Sequence, residues 1–189
     1  MNQLLEWLSG GDIRSDGMAD EVAAVVLQTP ERFADLFEGL YAADDVIRGR
    51  SSDALEKVAR SRPDLLVDRL AEIIAVGRAD SRPVVRMHVA MLLGHLSGRT
   101  EHIETITAAL LELMADESVF TRAWAIGSLC IIGRKYQSYR GSIAGRIAPL
   151  QTDSSIAIRT RARKALAILA DDNMPFPKGW VKSVVAEVD

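Results

Sequence analysis

The side chains best suited to bind an anionic partner lie in the C-terminal third of the chain. Residues 118–170 contain nine lysines and arginines and a single acid, Asp153. A local charge excess of this size attracts phosphate groups and speeds the arrival of an anionic partner. We predict Arg161, Arg163 and Lys164 as possible phosphate contacts. The same run of charge is also typical of an ordinary solvated or partner-facing surface, and this alternative stays open.

Patterns that indicate catalysis or metal binding are nearly absent. His88, His95 and His102 are spaced seven residues apart, which is roughly 10 Å along a helix and too far for two of them to share one metal ion. Cys130 lies in an apolar helical stretch, where a thiol is inert. There is no glycine-rich phosphate loop and no serine elbow. We therefore expect no enzymatic activity, no metal and no cofactor.

Composition limits the class of protein further. The chain has 189 residues, of which 48% are hydrophobic and 5% aromatic, enough to bury an aliphatic core. No apolar run approaches the roughly 20 residues that cross a bilayer, so we expect no membrane association. The first residues, with Glu6 inside the first apolar stretch, do not form a secretory signal. Since a single cysteine cannot form an internal disulfide, we expect a cytoplasmic protein.

An aspartate followed by an arginine recurs along the chain at a regular distance. In a weaker first copy, Arg48 follows Asp44 by four residues. The four arginines are 38, 36 and 37 residues apart, which is the period of a repeat built from two helices and two turns. In the three clear copies the arginine is the sixth residue after the aspartate: Asp80 and Arg86, Asp116 and Arg122, Asp153 and Arg159.

When the copies are aligned on their arginines, small and apolar residues recur at the third, sixth, seventh and tenth following positions. These positions share one face of an α-helix, so we predict that they form the core. The aspartate before the helix can accept hydrogen bonds from its first turn. The predicted core residues are Ser51, Ala54, Leu55, Val58, Val89, Leu92, Leu93, Leu96, Ala125, Ser128, Leu129, Ile132, Ala162, Ala165, Leu166 and Leu169.

These features together resemble the second helix of a HEAT repeat. The matching pattern is an aspartate in the turn, a Val, Ile or Thr before the arginine, and Ala and Leu at the core positions. The resemblance covers roughly residues 30–170 and implies an all-α fold, a right-handed α-solenoid of about four two-helix repeats. It also implies that the aspartates and arginines tie each repeat to the next. The pattern departs at Ala42, where the first copy lacks its aspartate, and at Pro83, which replaces the usual Val.

We therefore predict a single domain over residues 1–189. Cap helices occupy residues 1–29, four repeats occupy 30–170, and a C-terminal cap occupies 171–189. We predict that a last short helix runs from Gly179 to Val188, with Trp180, Val184 and Val188 covering the end of the array. The predicted helix pairs are 30–41 with 45–60, 63–76 with 83–97, 101–114 with 117–133, and 139–150 with 154–170.

The faces of the two middle second helices that point away from the core form the best candidate for a partner site. Their residues are small or apolar and include a tryptophan and two histidines, with acid on one side and base on the other. Such a face suits an amphipathic helix or an extended peptide. An alternative is that Trp124 only fills the space between repeats. The predicted partner-binding residues are Met87, His88, Met91, His95, Trp124, Gly127 and Ile131.

Three functions follow from the residues and the resemblance. The first is a noncatalytic scaffold or adaptor that binds a protein or peptide on this face. The second is a nucleic-acid binder similar to the HEAT-like DNA alkylation-repair glycosylases, with Trp124, Arg161, Arg163 and Lys164 as contacts, although no aspartate stands beside Trp124 to serve chemistry. The third resembles the HEAT-like phycobilin lyases, whose repeats are typically shorter than these. We expect the first.

Overall fold

The structure, a computed structural model, describes residues 2–99 and 101–182. In these ranges the chain is all-helical and contains no β-strand. Within residues 2–99 and 101–182, three short 3-10 helices span Pro30–Arg32, Glu38–Tyr41 and Ala148–Thr152. The α-helices of the described ranges are α1 (Gln3–Leu8), α2 (Ala19–Gln28), α3 (Phe33–Phe37), α4 (Asp45–Ser61), α5 (Asp64–Val67), α6 (Leu70–Ala79), α7 (Pro83–Leu96), α8 (Ile103–Leu113), α9 (Val119–Lys135), α10 (Gln137–Ile147) and α11 (Ile156–Ala170).

The four predicted second helices are α4, α7, α9 and α11, and each follows an aspartate. The aspartate carboxylate accepts a hydrogen bond from the backbone N–H two residues later, over 2.7–2.9 Å. Asp44 is itself the capping residue of α4, as predicted. Asp80, Asp116 and Asp153 lie two residues ahead of the capping residue, so they close the preceding turn rather than cap the helix.

The core positions predicted from the aligned copies are confirmed. Fifteen of the sixteen residues are buried, and Leu166 is half-buried. Complete burial of one Leu or Ile side chain contributes about 1.5–3 kcal/mol relative to its exposure. The periodic positions on α4, α7, α9 and α11 therefore supply much of the apolar surface that holds the helices together.

The helices form two layers. In one layer α4, α7, α9 and α11 pack side by side in chain order. In the other, α6 packs on α7, while α8 and α10 both pack on α9. The surface of α4, α7, α9 and α11 that turns away from the second layer carries the predicted partner site, and we call it the second-helix face.

Arginine–aspartate pairs join successive second helices. Each arginine donates to the aspartate of the next copy, and the arginine side chains are 10–17% exposed. Arg86 also donates from Nη1 to the carbonyl oxygen of Asp80, over 2.9 Å, which ties it to its own turn. Three such pairs are present: Arg48 with Asp80 (2.8 Å), Arg86 with Asp116 (2.6 Å), and Arg122 with Asp153.

The N-terminal segment is held against α4 by Arg50, which is only 6% exposed. Gly10, Gly11 and Gly17 have positive φ angles, which let the chain turn tightly around the Arg50 side chain. Residues other than glycine adopt these angles only at a cost in free energy. The Arg50 guanidinium donates to the backbone carbonyls of Leu8, Ser9, Gly10, Asp12 and Ser15. This segment is therefore fixed through its backbone.

The predicted first helices are shorter or more divided than expected. Residues 30–41 form α3 between two 3-10 helices, and residues 63–76 are split into α5 and α6. The predicted helix 139–150 becomes α10 followed by the 3-10 helix Ala148–Thr152, because Pro149 has no N–H to continue the α-helical ladder. The helices confirmed with least change are the second helices, which the recurring aspartate and arginine mark in the sequence.

The predicted C-terminal helix is wrong where it can be checked. Gly179–Lys182 is not helical, and Gly179 has a φ of +83°, outside the helical region. Val184 and Val188 lie outside the described residues. The chain therefore continues after α11 as a non-helical segment with turns at Asp171–Met174 and Pro177–Trp180 rather than as a helical cap.

Candidate partner-binding site

The outer surfaces of α7 and α9 form one continuous strip because these two helices approach closely. A Cβ atom at Gly94 would lie 2.5 Å from the Oγ atom of Ser128, so a larger residue does not fit there. Ser128 in turn donates a 2.7 Å hydrogen bond to the carbonyl of Ala90. The strip brings four of the predicted partner-binding residues around one small pocket: Met91, His95, Trp124 and Ile131.

The C-terminal segment of the same chain fills this pocket. Trp180 and Lys182 line it together with the strip, and Trp180 is only 8% exposed. The remaining space is about 10 Å³, on the order of one water molecule. Four of the residues predicted to bind a partner therefore lie together, and Trp180 and Lys182 of the same chain close the pocket between them.

Arg161 holds Trp180 against Trp124. Its guanidinium carbon lies 3.9 Å from the Trp180 ring centroid and 5.0 Å from that of Trp124, and its Nε donates to the carbonyl of Ala123 over 2.9 Å. Burial lowers the pKa of Arg161 to about 10, so it stays charged at neutral pH. A cation over an aromatic face contributes about 0.5–2 kcal/mol, which fixes the tryptophan in this position.

Lys182 extends from Trp124 towards the acidic side of the face. Its Nζ lies 4.9 Å from the Trp124 ring centroid. Burial lowers the pKa of Lys182, while the negative charges of Glu56 and Asp53 act in the opposite direction. The segment therefore presents an aromatic ring to one part of the face and a cation to another.

The acidic part of the face is built on a buried carboxylate. Glu56 has no exposed surface, and its Oε1 lies 2.9 Å from Nε2 of His95. Burial acts to raise the pKa of Glu56, but hydrogen bonds with His95 and Arg60 outweigh it and lower the pKa to about 2. Glu56 is therefore ionised at neutral pH and lines the pocket as a fixed negative charge.

The other predicted partner-binding residues lie beside or beneath the pocket. Met87 is half-buried on α7. His88 is 8% exposed, with Nδ1 2.9 Å from Oγ of Ser52, and burial lowers its pKa. A Cβ atom at Gly127 would lie 2.9 Å from Nη2 of Arg161. His88 and Gly127 therefore support the face from within rather than offer atoms to a partner.

The basic stretch from 118 to 170 does not form one surface. Arg163 and Lys164 are exposed, whereas Arg161 is enclosed by the two tryptophans. The structure thus separates Arg161 from the other two residues predicted as possible phosphate contacts. Six of the nine basic residues donate hydrogen bonds within the helices and their turns: Arg122, Arg134, Arg140, Arg159, Arg161 and Arg163.

Two large apolar side chains are exposed on the first turns of α9 and α11. Phe120 is 72% exposed and Ile156 is 70% exposed. Phe120 precedes Trp124 by four residues, so the two lie on the same helix face. The sequence analysis missed Phe120, although its spacing from Trp124 was a usable signal. It also missed the docking of Trp180, because helical spacing gives no signal for a residue in a non-helical segment.

The remaining reactive groups carry no site. Cys130 is buried, and burial raises its pKa to about 12, so the thiol is unreactive at neutral pH. Among residues 2–99 and 101–182, no three His, Cys, Asp or Glu side chains are grouped so that they could hold a metal ion. The described part of the chain also has no helix long and apolar enough to span a membrane.

Comparison with known proteins yields a likeness of fold. Neither a protein-family model nor a curated protein sequence matches the chain. Among solved structures, an engineered protein is similar, with a TM-score of 0.60 and 15% sequence identity. The alignment covers 90% of this chain and 80% of the engineered one. At this identity the likeness concerns the fold alone.

Proposed function

We propose that the protein is a noncatalytic scaffold that binds an extended segment of a partner protein on its second-helix face. One observation carries the proposal: the face already holds a non-helical segment, whose Trp180 and Lys182 lie against it so closely that only about 10 Å³ of space remains. A surface that accepts one non-helical segment has the pockets and charges needed to accept another.

The proposal includes the architecture. We propose that residues 1–189 form one cytoplasmic domain, a right-handed α-solenoid of HEAT-like repeats. The side-by-side packing of α4, α7, α9 and α11 supports this, as do the arginine–aspartate pairs at three successive junctions. Repeat arrays use such an extended face for binding partners.

Exposed apolar side chains add support. Phe120 and Ile156 are both at least 70% exposed, and Phe120 continues the helix face of Trp124. Large apolar groups that stay exposed next to a filled pocket are typical of an interaction surface. A partner segment that enters the pocket can also cover Phe120.

The test is a selection of random peptides on the full-length protein carrying Trp180→Ala, which vacates the pocket. We expect selected peptides to bind this variant and to lose at least tenfold in affinity when Ile131→Glu is added, because the glutamate places a charge in the pocket. The matched control is Leu111→Glu, the same change at a half-buried residue of α8 in the other layer.

Circular dichroism and thermal melting establish that each variant folds. Failure to select any peptide, or equal sensitivity of binding to Ile131→Glu and Leu111→Glu, would contradict the proposal. A DNA duplex and a single-stranded RNA are titrated in parallel. Binding of either at near-physiological salt, lost when Arg163 and Lys164 are both changed to glutamate, would favour the nucleic-acid function instead.

A further inference from the structure

The C-terminal segment is anchored before it reaches the pocket. Arg134 donates from Nη1 to the carbonyls of Ile168 and Met174, each over 3.1 Å. Arg140 donates to the carboxylate of Asp172 over 2.6 Å. These bonds hold the start of the segment beside α9 and α10, independently of Trp180 and Lys182.

Beyond this anchor, Trp180 and Lys182 dock through their side chains. The Trp180 ring stacks on Arg161, and the Lys182 ammonium lies over Trp124 near the charge of Glu56. The backbone N–H of Trp180 donates to Pro177 within the segment itself, over 3.1 Å. The segment can therefore leave the pocket while its anchor stays in place.

The two docked side chains show what the face recognises. The Trp180 ring lies against the Arg161 cation, and two residues later the Lys182 cation lies over the Trp124 ring, in a pocket that the buried Glu56 carboxylate also lines. The intervening residue, Val181, is half-buried. An acid in place of Lys182 would be repelled by the charge of Glu56. An acid in place of Trp180 would remove the ring that stacks on Arg161.

Building on the function proposed above, we infer that Trp180–Lys182 is an intramolecular occupant of the partner site. We infer further that the partner segment carries the same pattern, an aromatic residue followed two positions later by a lysine. The tethered segment competes with the partner at an effective concentration on the order of millimolar. A partner that also covers the exposed Phe120 gains contact that helps it to displace Trp180.

The test uses a labelled peptide with the chain's own sequence from Pro175 to Lys182 and full-length protein, with binding measured by fluorescence anisotropy. We expect the peptide to bind the Trp180→Ala variant at least tenfold more tightly than the wild type, because the variant has lost its internal competitor. Peptides with Trp→Ala or Lys→Glu should each bind the variant at least fivefold more weakly.

A second full-length variant, Lys182→Glu, guards against misfolding of the first, and it should also bind the unmodified peptide more tightly than the wild type. Equal binding to wild type and both variants would overturn the inference, as would insensitivity to the peptide's tryptophan. If selected peptides bind the face but the chain's own peptide does not, this inference fails while the proposed function stands. If neither binds, both fail.

Discussion

Two non-helical segments fold back onto the second helices, residues 9–18 between α1 and α2 and residues 171–182 after α11, but different contacts hold them. At the N-terminal end, the buried Arg50 donates hydrogen bonds to five backbone carbonyls between Leu8 and Ser15. At the C-terminal end, Trp180 and Lys182 rest on the face through ring and charge contacts of their side chains.

These contacts indicate that the N-terminal segment is a permanent part of the fold, whereas Trp180 and Lys182 can be replaced on the face by a partner's side chains. Loss of the Arg50 guanidinium would leave several packed carbonyls of the N-terminal segment without a donor, and each buried group without a partner costs about 1–3 kcal/mol. Release of Trp180 and Lys182 returns two side chains to water and leaves a pocket that similar side chains can fill. The first contact therefore secures the fold, whereas the second suits exchange with a partner.

The largest expected effect is at Arg50. We expect Arg50→Met to lower the free energy of unfolding by at least about 3 kcal/mol, because several carbonyls lose a charged donor. Urea denaturation measures it, with Arg146→Met, at an exposed arginine of α10, as a control that changes stability by less than about 0.5 kcal/mol. A loss below about 1 kcal/mol would show that the N-terminal segment is no more permanent than the C-terminal one.

A smaller effect is expected at Trp180. Trp→Ala in a core costs about 3–5 kcal/mol, but here we expect only about 1–2 kcal/mol, since the segment can undock without opening the helices. The same denaturation measures the change, and hydrogen exchange shows whether the protection of α7 and α9 is retained. A loss of about 4 kcal/mol would place Trp180 in the permanent core and break the comparison.

Glycine substitutions test the two segments with matched chemistry. Gly179 and Gly10 have φ angles of +83° and +71°, and a Cβ at either meets nothing within 4 Å. An alanine at either site costs about 1 kcal/mol through the backbone alone. In Gly179→Ala this cost weakens the docking of the chain's own segment. The peptide of residues 175–182 should therefore bind this variant about fivefold more tightly than it binds the wild type. In Gly10→Ala the same cost lowers the free energy of unfolding instead, and peptide binding should not change.

The smallest effect concerns the layer beneath the C-terminal segment. Burial lowers the pKa of His88 from 6.5; the charges of Asp53 and Glu56 raise it, and those of Lys182 and Lys57 lower it. Below pH 6.5 the unfolded chain binds a proton that folded His88 does not, so stability falls as the pH falls. We expect part of this loss between pH 7 and 5.5 to vanish in His88→Gln. An unchanged pH profile in that variant would contradict a buried, neutral His88.

Much of the fold was predictable because it depends on contacts local in sequence. The recurrence of aspartate and arginine predicted α4, α7, α9 and α11, and the spacing of small and apolar residues predicted fifteen of sixteen buried core positions. The same spacing placed Met91 and Trp124 on neighbouring outer surfaces, where they share a pocket. Such predictions succeed because the helical period relates position in the sequence to direction in space.

The divided first helices and the C-terminal path were less predictable. The break between α5 and α6 is marked by no Gly or Pro between Asp64 and Ala71. The segment after α11 takes its direction from Arg134, which binds backbone carbonyls, and a carbonyl acceptor leaves no trace in residue type. Arg161 looked like a surface charge because its enclosure depends on the returning Trp180 together with Trp124.

The residue types and their period therefore determined where the second helices form and which of their sides are buried, because both follow from the regular geometry of one helix and its repeat. The tertiary structure decided that the chain's own Trp180 and Lys182 occupy the second-helix face, and that Arg161 is enclosed there rather than exposed. The physical reason is that both outcomes depend on where a non-helical segment is anchored, and its contacts are with backbone atoms common to every residue.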